Sequence, residues 1–496
     1  MGITQLQLAE KMRKLSALLL NKLSLYIFSK YEISTALSFY LRLVSLVFIV
    51  SIAGILYQFN DLFLIDQVYD PDQPMYGIYF NLFSFIPVSF FKYFLYFSLV
   101  SSVALFFFVL PFWLLFFNFI VYTSLILLFP TFMSFQWDIL MVETLLFSLL
   151  LVHPLKLRLN LKAPYVVSYL QLLPILMLMV RLFFHSGVVK LLSNDFLWLT
   201  QSVLDIHLFS QPLPHFLSFY IHALIVHLNL SSFLTQLMFI FELILPFFLL
   251  IPMYRKFAAS LLIFFQVLII LTGNYGFFNF LVISILVLLL LINQSSELFF
   301  FKTSNKYIRG SFMVLLFVLI LNSVVVMVSP LNKALIFPTE FSKLRLFNRY
   351  GLFANMTTNQ TRYQIHLSND GILWNRLPLK HFNSKGFPNL TFLQPYHPRI
   401  RWQLWFKFIN EYQYPLWYQS LIKLIAKDPN SLPSITVPDL TLSGGYQYIK
   451  LCYQSIVFNY DRRLLFDSNY WLPIDKERCH TYDVSKETFY VNDISF

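Results

Sequence analysis

Charge is what this sequence has least of. Only 12% of its 496 residues are Asp, Glu, Lys or Arg, about half the share of a soluble globular chain. The length would allow about three soluble domains, but so little charge excludes a protein whose whole surface faces water. Cysteine is scarce too. Cys452 and Cys479 are the whole complement, so at most one bridge can form. A disulfide is one reading of the pair and two unpaired thiols the other, because spacing does not show whether the two Cα atoms come within bridging distance. Catalytic signatures are missing: there is no G-x-S-x-G elbow, no P-loop, no H-E-x-x-H and no C-x-x-C, and neither a cofactor nor a metal site is expected. Internal repeats, long low-complexity tracts and lipidation motifs are absent as well.

What is present is apolar. Hydrophobic residues make up 58% of the chain, Phe alone contributes 58 residues, and the mean hydropathy is +0.65. A spanning helix needs roughly 20 apolar residues. Such runs occur near 40–58, 94–113, 114–132, 136–153, 165–185, 231–252, 257–273, 277–293 and 311–328, with 94–132 readable as one kinked helix. The expected fold is an all-α polytopic membrane domain of about nine transmembrane helices, followed by a small sheet-rich soluble domain. The expected divisions are a cytoplasmic amphipathic segment at 1–39, a multi-spanning domain at 40–329 with an outer loop at 186–230, and an extracytoplasmic domain at 330–496.

The net charge of +12 does not point to nucleic acid, because the basic residues lie in short connections between apolar runs rather than on one face. With a cytoplasmic N-terminus carrying Lys11, Arg13, Lys14, Lys22 and Lys30, the basic connections Lys156 to Lys162, Arg255-Lys256 and Lys302 to Arg309 fall inside. The acidic connection of Asp61, Asp66, Asp70 and Asp72 falls outside. That is the positive-inside pattern, and it puts everything after Pro330 outside.

Residues 186–230 mix His, Asp, Pro and Trp with short apolar pieces, which fits a structured outer loop with an interfacial helix near 215–228. Beyond 330, Tyr363, Ile365 and Leu367 alternate with polar residues before the turn Asn369-Asp370-Gly371, a hairpin signal. Residues 399–427 have helical spacing broken at Pro415, and 444–461 alternates as a strand. Sequons stand at Asn229, Asn293, Asn355, Asn359 and Asn389.

Polar residues within apolar runs default to pairing or function because hydrocarbon penalises them. Asp138 and Glu143 lie on one helix but point about 140° apart, which argues against a paired dyad. Arg181 and Glu242 are natural partners for an ion pair between two helices. Lys190 follows Ser186-Gly187 in the outer loop, where it reads either as a surface anchor or as a shielded base. His207, His215, His222 and His227 lack i,i+4 spacing and read as hydrogen-bonding residues rather than metal ligands. Trp402, Trp405, Tyr412, Tyr414 and Trp417 make the last domain aromatic, which suits either a client-holding surface or a core.

At several blocks the chain resembles the lipase maturation factor family: FMSFQWDILMVE (132–143), RLFFHSGVVKLLSND (181–195), LDIHLFSQPLP (204–214), ELILPF (242–247), LTGNYGFFNF (271–280) and FNRYGLF (347–353). SNDGILW (368–374) and QPYHPRIRWQLWF (394–406) look like that family's hydrophilic domain. The resemblance implies a membrane protein of the endoplasmic reticulum, or of the inner membrane in a bacterium, that helps secreted dimeric lipases fold and assemble. Its partners would be the bilayer and exported clients, and Tyr350, Arg401, Trp402 and Trp405 would form the client surface. The block with Lys190, Asp195 and Trp198 is also similar to the membrane part of vitamin K-dependent γ-carboxylases. That similarity implies an alternative, a membrane enzyme with Lys190 as base.

The charge pattern makes a direct prediction. An enzyme reporter active only in the export compartment should be active when fused after Phe496 and silent when inserted near Arg158; the opposite pattern would reverse the topology.

Overall fold

A computed structural model of the chain describes residues 29–65, 90–159, 163–298, 306–330, 345–409, 414–439, 441–442, 444–459 and 470–492. A short strand, β1 (Ser29–Glu32), leads into the long apolar helix α1 (Ser34–Ile65). The Ser34 hydroxyl accepts the Tyr165 N–H at 2.8 Å, fixing the start of the helix to a distant connection. Residues 29–39 are therefore strand and helix rather than an amphipathic lead-in, and residues 1–28 lie outside the described part.

Helices α2 (Phe91–Phe106) and α3 (Pro111–Leu128) divide the run at 94–132. Phe108 and Leu110 take left-handed backbone conformations, with φ of 63° and 42°, and Pro111 opens α3 where a missing amide is tolerated. Backbone bonds Leu110 N–H to Leu157 O (2.7 Å) and Leu159 N–H to Phe108 O (3.2 Å) hold the reversal. After α4 (Gln136–Ser148) come β2 (Val166–Ser168), α5 (Tyr169–Leu192), α6 (Phe216–His227), α7 (Ser231–Leu243), α8 (Pro252–Thr272), α9 (Phe278–Leu291), β3 (Asn293–Leu298) and α10 (Lys306–Val328).

Contacts distinguish two ends of this bundle. At one end β1 pairs with β2 and β3 in an antiparallel sheet of order β2-β1-β3, and Arg255 at the start of α8 lies 5.2 Å from the ring of Tyr31. At the other end the C-terminal part rests on the last turns of α1 and the first of α4, through Gln58 and Asp138. Among the described residues six helical stretches are long and apolar enough to cross a bilayer: Ser34–Ile65, Pro111–Leu128, Tyr169–Leu192, Ser231–Leu250, Pro252–Thr272 and Gly310–Val328. Six thus stand on length where about nine were expected. α2 and α9 are apolar but shorter. α4 and α9 are buried against other helices along most of their length, so protein rather than lipid shields them.

Several residues expected in connections prove helical. Asp61 belongs to α1, with its carboxylate accepting the Ser434 N–H at 2.7 Å, while Asp66, Asp70 and Asp72 lie outside the described residues. Arg255 and Lys256 lie in α8. Lys190 lies in the last turn of α5, so the connection begins after Leu192 instead of at 186.

The C-terminal part contains β4 (Gln360–Ser368), β5 (Asn375–Leu377), α11 (Arg399–Ile409), α12 (Leu416–Lys427), β6 (Tyr448–Phe458), β7 (Trp471–Pro473), β8 (Arg478–Asp483) and β9 (Thr488–Asn492). The strands form an antiparallel sheet of order β5-β4-β6-β8-β9, with β7 on the far half of β6. Alternation sends Tyr363, Ile365, Leu367, Ile449 and Leu451 into a core with α12. Leu62 and Ile65 of α1 and Phe132 enter the same core, so the end of the bundle is built into this domain. Cys452 and Cys479 are directly opposite across β6 and β8, and their sulfurs are bonded.

The bridge spans a sequence separation of 27 residues, and losing such a link typically removes about 2–4 kcal/mol. Changing Cys452 and Cys479 together to Ala should lower the melting midpoint of the purified protein and abolish its mobility shift on reduction. An unchanged midpoint would show that the strand pairing suffices.

Candidate functional site at the bundle junction

Three acids inside the bundle organise the site. Asp138 sits in the first turn of α4, where the helix dipole favours an acid. Its carboxylate meets Arg399 of α11 through two hydrogen bonds, Nη1 to Oδ2 and Nη2 to Oδ1, each 2.7 Å. Nη1 also donates to Phe132 O at 2.7 Å. Tyr122 OH donates to Asp138 Oδ1 at 2.6 Å, and Ser51 meets the Tyr122 hydroxyl at 2.8 Å. Gln58 completes the join: its Oε1 accepts the Arg399 N–H at 2.9 Å and its Nε2 donates to His397 O at 2.9 Å.

Glu143, five residues further along α4 and also fully buried, pairs with Arg181 of α5. Its other oxygen accepts the backbone and side-chain N–H groups of Asn348 at 2.7 and 2.8 Å. The rings of Phe347 and Tyr350 flank the Arg181 guanidinium at 5.7 and 5.8 Å. Glu242 of α7 holds Lys190, with Nζ 2.5 and 2.7 Å from its two oxygens. Gly187 permits that approach, since a Cβ there would stand 2.6 Å from Leu243 Cδ2 and 3.1 Å from Glu242 Cβ. Trp198 covers the ammonium at 5.2 Å and donates its indole N–H to Phe353 O at 3.0 Å.

The expected Arg181–Glu242 pair is therefore corrected. The five-residue spacing that points Asp138 and Glu143 apart gives Arg181 to Glu143, and Glu242 takes Lys190. Lys190 is no surface anchor, because only 5% of it is exposed. The expected client surface is corrected as well. Tyr350, Arg401, Trp402 and Trp405 are all buried. Trp402 packs on Trp137 of α4 at 4.9 Å and near Tyr275 at 6.3 Å. Arg401 lies over the Phe382 ring at 4.3 Å, and burial pushes its guanidinium down to about 9. His397 sits 4.4 Å from Trp137, and burial holds its imidazole well below the usual histidine range. Gly276 lets it in, with φ +59° and room for no Cβ beside His397 Cβ at 2.9 Å. These aromatics are filled space between helix ends and domain.

Residues that sequence reading left out complete the seam. Gln211 donates to Thr272 O at 2.6 Å and accepts from Tyr275 OH at 2.7 Å, while Gln360 at the start of β4 donates to Gln211 O at 2.6 Å. Asn274 donates to Thr391 O and accepts the Leu393 N–H, both at 2.8 Å. The missed Arg399 had one legible signal: an acid in an apolar helix needs a cation, and QPYHPRIRW supplies two. The histidines diverge to separate partners, His207 to Tyr275 OH (3.1 Å), His215 to Ile270 O (3.2 Å) and His222 to Asp205 O (2.6 Å). Among the described residues the grouping of metal-type ligands is Cys452, Cys479 and Glu477, and the two sulfurs are bonded to each other. Asp138, Glu143 and Glu242 thus hold one cation each, an arrangement suited to clamping elements together.

An integral membrane protein whose sheet-rich domain is joined to its helix ends by a buried ion pair and side-chain hydrogen bonds is the class defined here. The chain matches the lipase maturation factor transmembrane domain over residues 78–298 and the lipase maturation factor C-terminal domain over 346–471. It belongs to the lipase maturation factor family. Lipase maturation factor 1 of Mus musculus is 25% identical over 351 residues, covering 64% of this chain and 60% of that protein. The Homo sapiens protein of the same name is 25% identical over 348 residues, 63% of this chain and 60% of its own length. Lipase maturation factor 2 of Gallus gallus is 37% identical over 169 residues, 33% of this chain but 23% of that protein. The chain thus spans less than two thirds of these relatives. No solved structure matches it.

Removing one partner of a buried pair leaves an uncompensated charge and costs about 3–5 kcal/mol. Arg399→Met should lower the melting midpoint sharply and expose the C-terminal part to protease, while adding Asp138→Leu should recover much of the loss. Additive losses in the double variant would show that the two side chains are not coupled.

Proposed function

We propose that this chain is a membrane-anchored maturation factor that assists the folding and assembly of secreted lipases. The observation that carries the reading is the match of both the transmembrane and the C-terminal part to the family of proteins named lipase maturation factors. Asp138, Glu143 and Glu242 of the membrane part support it, since they are engaged in ion pairs that hold structure. The compartment is the endoplasmic reticulum in a eukaryotic cell, with the C-terminal domain on the lumenal side. Two features favour that side. Arg255 and Lys256 gather at the end of the bundle that carries β1 and β3, with Lys256 Nζ 2.9 Å from Asn293 Oδ1, as the positive-inside bias expects of a cytoplasmic face. The C-terminal domain at the other end holds a disulfide, which suits an oxidising compartment.

The carboxylase-like alternative is disfavoured by the same geometry. A general base needs its amine free for substrate, and the Lys190 amine is engaged by both oxygens of Glu242 beneath Trp198.

Two measurements test this. Cells that lack their own lipase maturation factors should regain secreted lipase activity when this chain is expressed, with lipase synthesis unchanged. Lys190→Arg, which keeps the ion pair but cannot deprotonate, should retain most of that rescue. Loss of rescue at normal abundance would favour the enzyme.

A further inference from the structure

The outward face of the C-terminal sheet is as basic as its inward face is apolar. On β4 the side chains of Arg362, Gln364 and His366 alternate away from the core residues Tyr363, Ile365 and Leu367. The antiparallel register places Arg376 of β5 on one side of His366 and Lys450 of β6 on the other. Lys385, in the connection crossing this face, gives its carbonyl to Arg362 and Gln364, both at 2.7 Å, and its side chain to solvent. The carboxylates around these four cations are already engaged, Asp475 by Arg478 at 3.1 Å among them. Glu477 is held by Arg362 at 3.5 Å, and Asp370 accepts the Ile372 and Leu373 N–H groups at 2.8 and 2.9 Å. The local field is positive: burial together with Arg376, Lys450 and Arg362 pushes the His366 imidazole down to about 4.

The turn that Asp370 closes has a second character. It holds Ile372 and Leu373 outward, 79% and 74% exposed. Beside them Trp374 is fixed by its own indole bond to Gly371 O at 3.1 Å and by the Lys450 ammonium 4.0 Å over its ring. Two apolar side chains, one indole and a row of cations thus form one continuous surface at the end of the hairpin. The base of the hairpin rests on the bundle, Gln360 on Gln211 and Lys380 on Tyr57 OH at 2.7 Å. The tip is eight residues further along β4, roughly 26 Å at the rise of a strand. A row of cations beside an apolar tip is complementary to a polypeptide that carries both acidic and apolar side chains.

We propose that the outer face of β4, β5 and β6 with the tip Ile372-Leu373-Trp374 is a docking surface for an acidic stretch of polypeptide carrying apolar residues. The cations attract and orient the carboxylates, and the tip takes the apolar side chains, a combination that an incompletely folded chain offers. The inference rests on the maturation role for its choice of partner, a client polypeptide.

The test uses the purified full-length protein in lipid nanodiscs and a fluorescent synthetic peptide alternating Glu and Leu. That peptide should bind, with affinity falling about tenfold between low and high salt, and its Lys-for-Glu counterpart should not. Lys450→Glu with Lys385→Glu, both at exposed or half-buried positions, should abolish binding at unchanged protease resistance. Ile372→Ser with Leu373→Ser should weaken it without changing the salt dependence. Equal binding of both peptides, binding unaffected by the charge reversal, or binding only of phosphatidylserine vesicles would overturn the proposal. Failure of the maturation role would register separately, as lipase secretion indifferent to the chain while the acidic peptide still binds.

Discussion

The fold depends on neutralising Asp138. An aspartate with no exposed surface in the interior of an apolar bundle is costly unless a cation and further donors reach it. Arg399 supplies both hydrogen bonds from a helix of the C-terminal domain, and Tyr122 adds a third. Everything around the pair follows from bringing those elements into register. Gln58 fixes the backbone on both sides of Pro398, Trp137 and Trp402 close against each other, and Phe132 enters the core of the domain. Two parts that hydropathy separates cleanly share one seam.

Much of this architecture was legible in the chain. Apolar length marked α1, α5, α8 and α10, and Pro415 marked the break between α11 and α12. The turn Asn369-Asp370-Gly371 marked the hairpin of β4 and β5. These are local signals, readable wherever periodicity or turn chemistry acts within a few residues. Partner choice is not local. Arg181 and Glu242 are plausible mates by depth alone, and only the packing of α4 against α5, with Gly187 admitting α7, decides that each takes someone else. Burial of Trp402 and Trp405 was hidden for a related reason: an aromatic helix face looks alike whether it meets solvent, lipid or the end of another helix. Helix count was blurred by α4 and α9, which protein shields on most sides and which therefore need not reach full spanning length.

The polar seam also bears on how such a protein acts. A maturation factor needs a steady platform more than a reactive centre. The Asp138–Arg399 pair, together with Gln211, Asn274 and Gln360, holds the C-terminal part at a defined place on the helix ends. Among the described residues, the side of the sheet turned away from the shared core carries Arg362, Arg376 and Lys450.

Arg399 lies 261 residues after Asp138, and Ser434 lies 373 after Asp61. A ribosome adding roughly 5–20 residues each second therefore delivers the acid well before its cation. Throughout that interval the membrane part holds a carboxylate without the charge that neutralises it. A chain that stops anywhere before Arg399 therefore carries Asp138 without the cation that pairs with it.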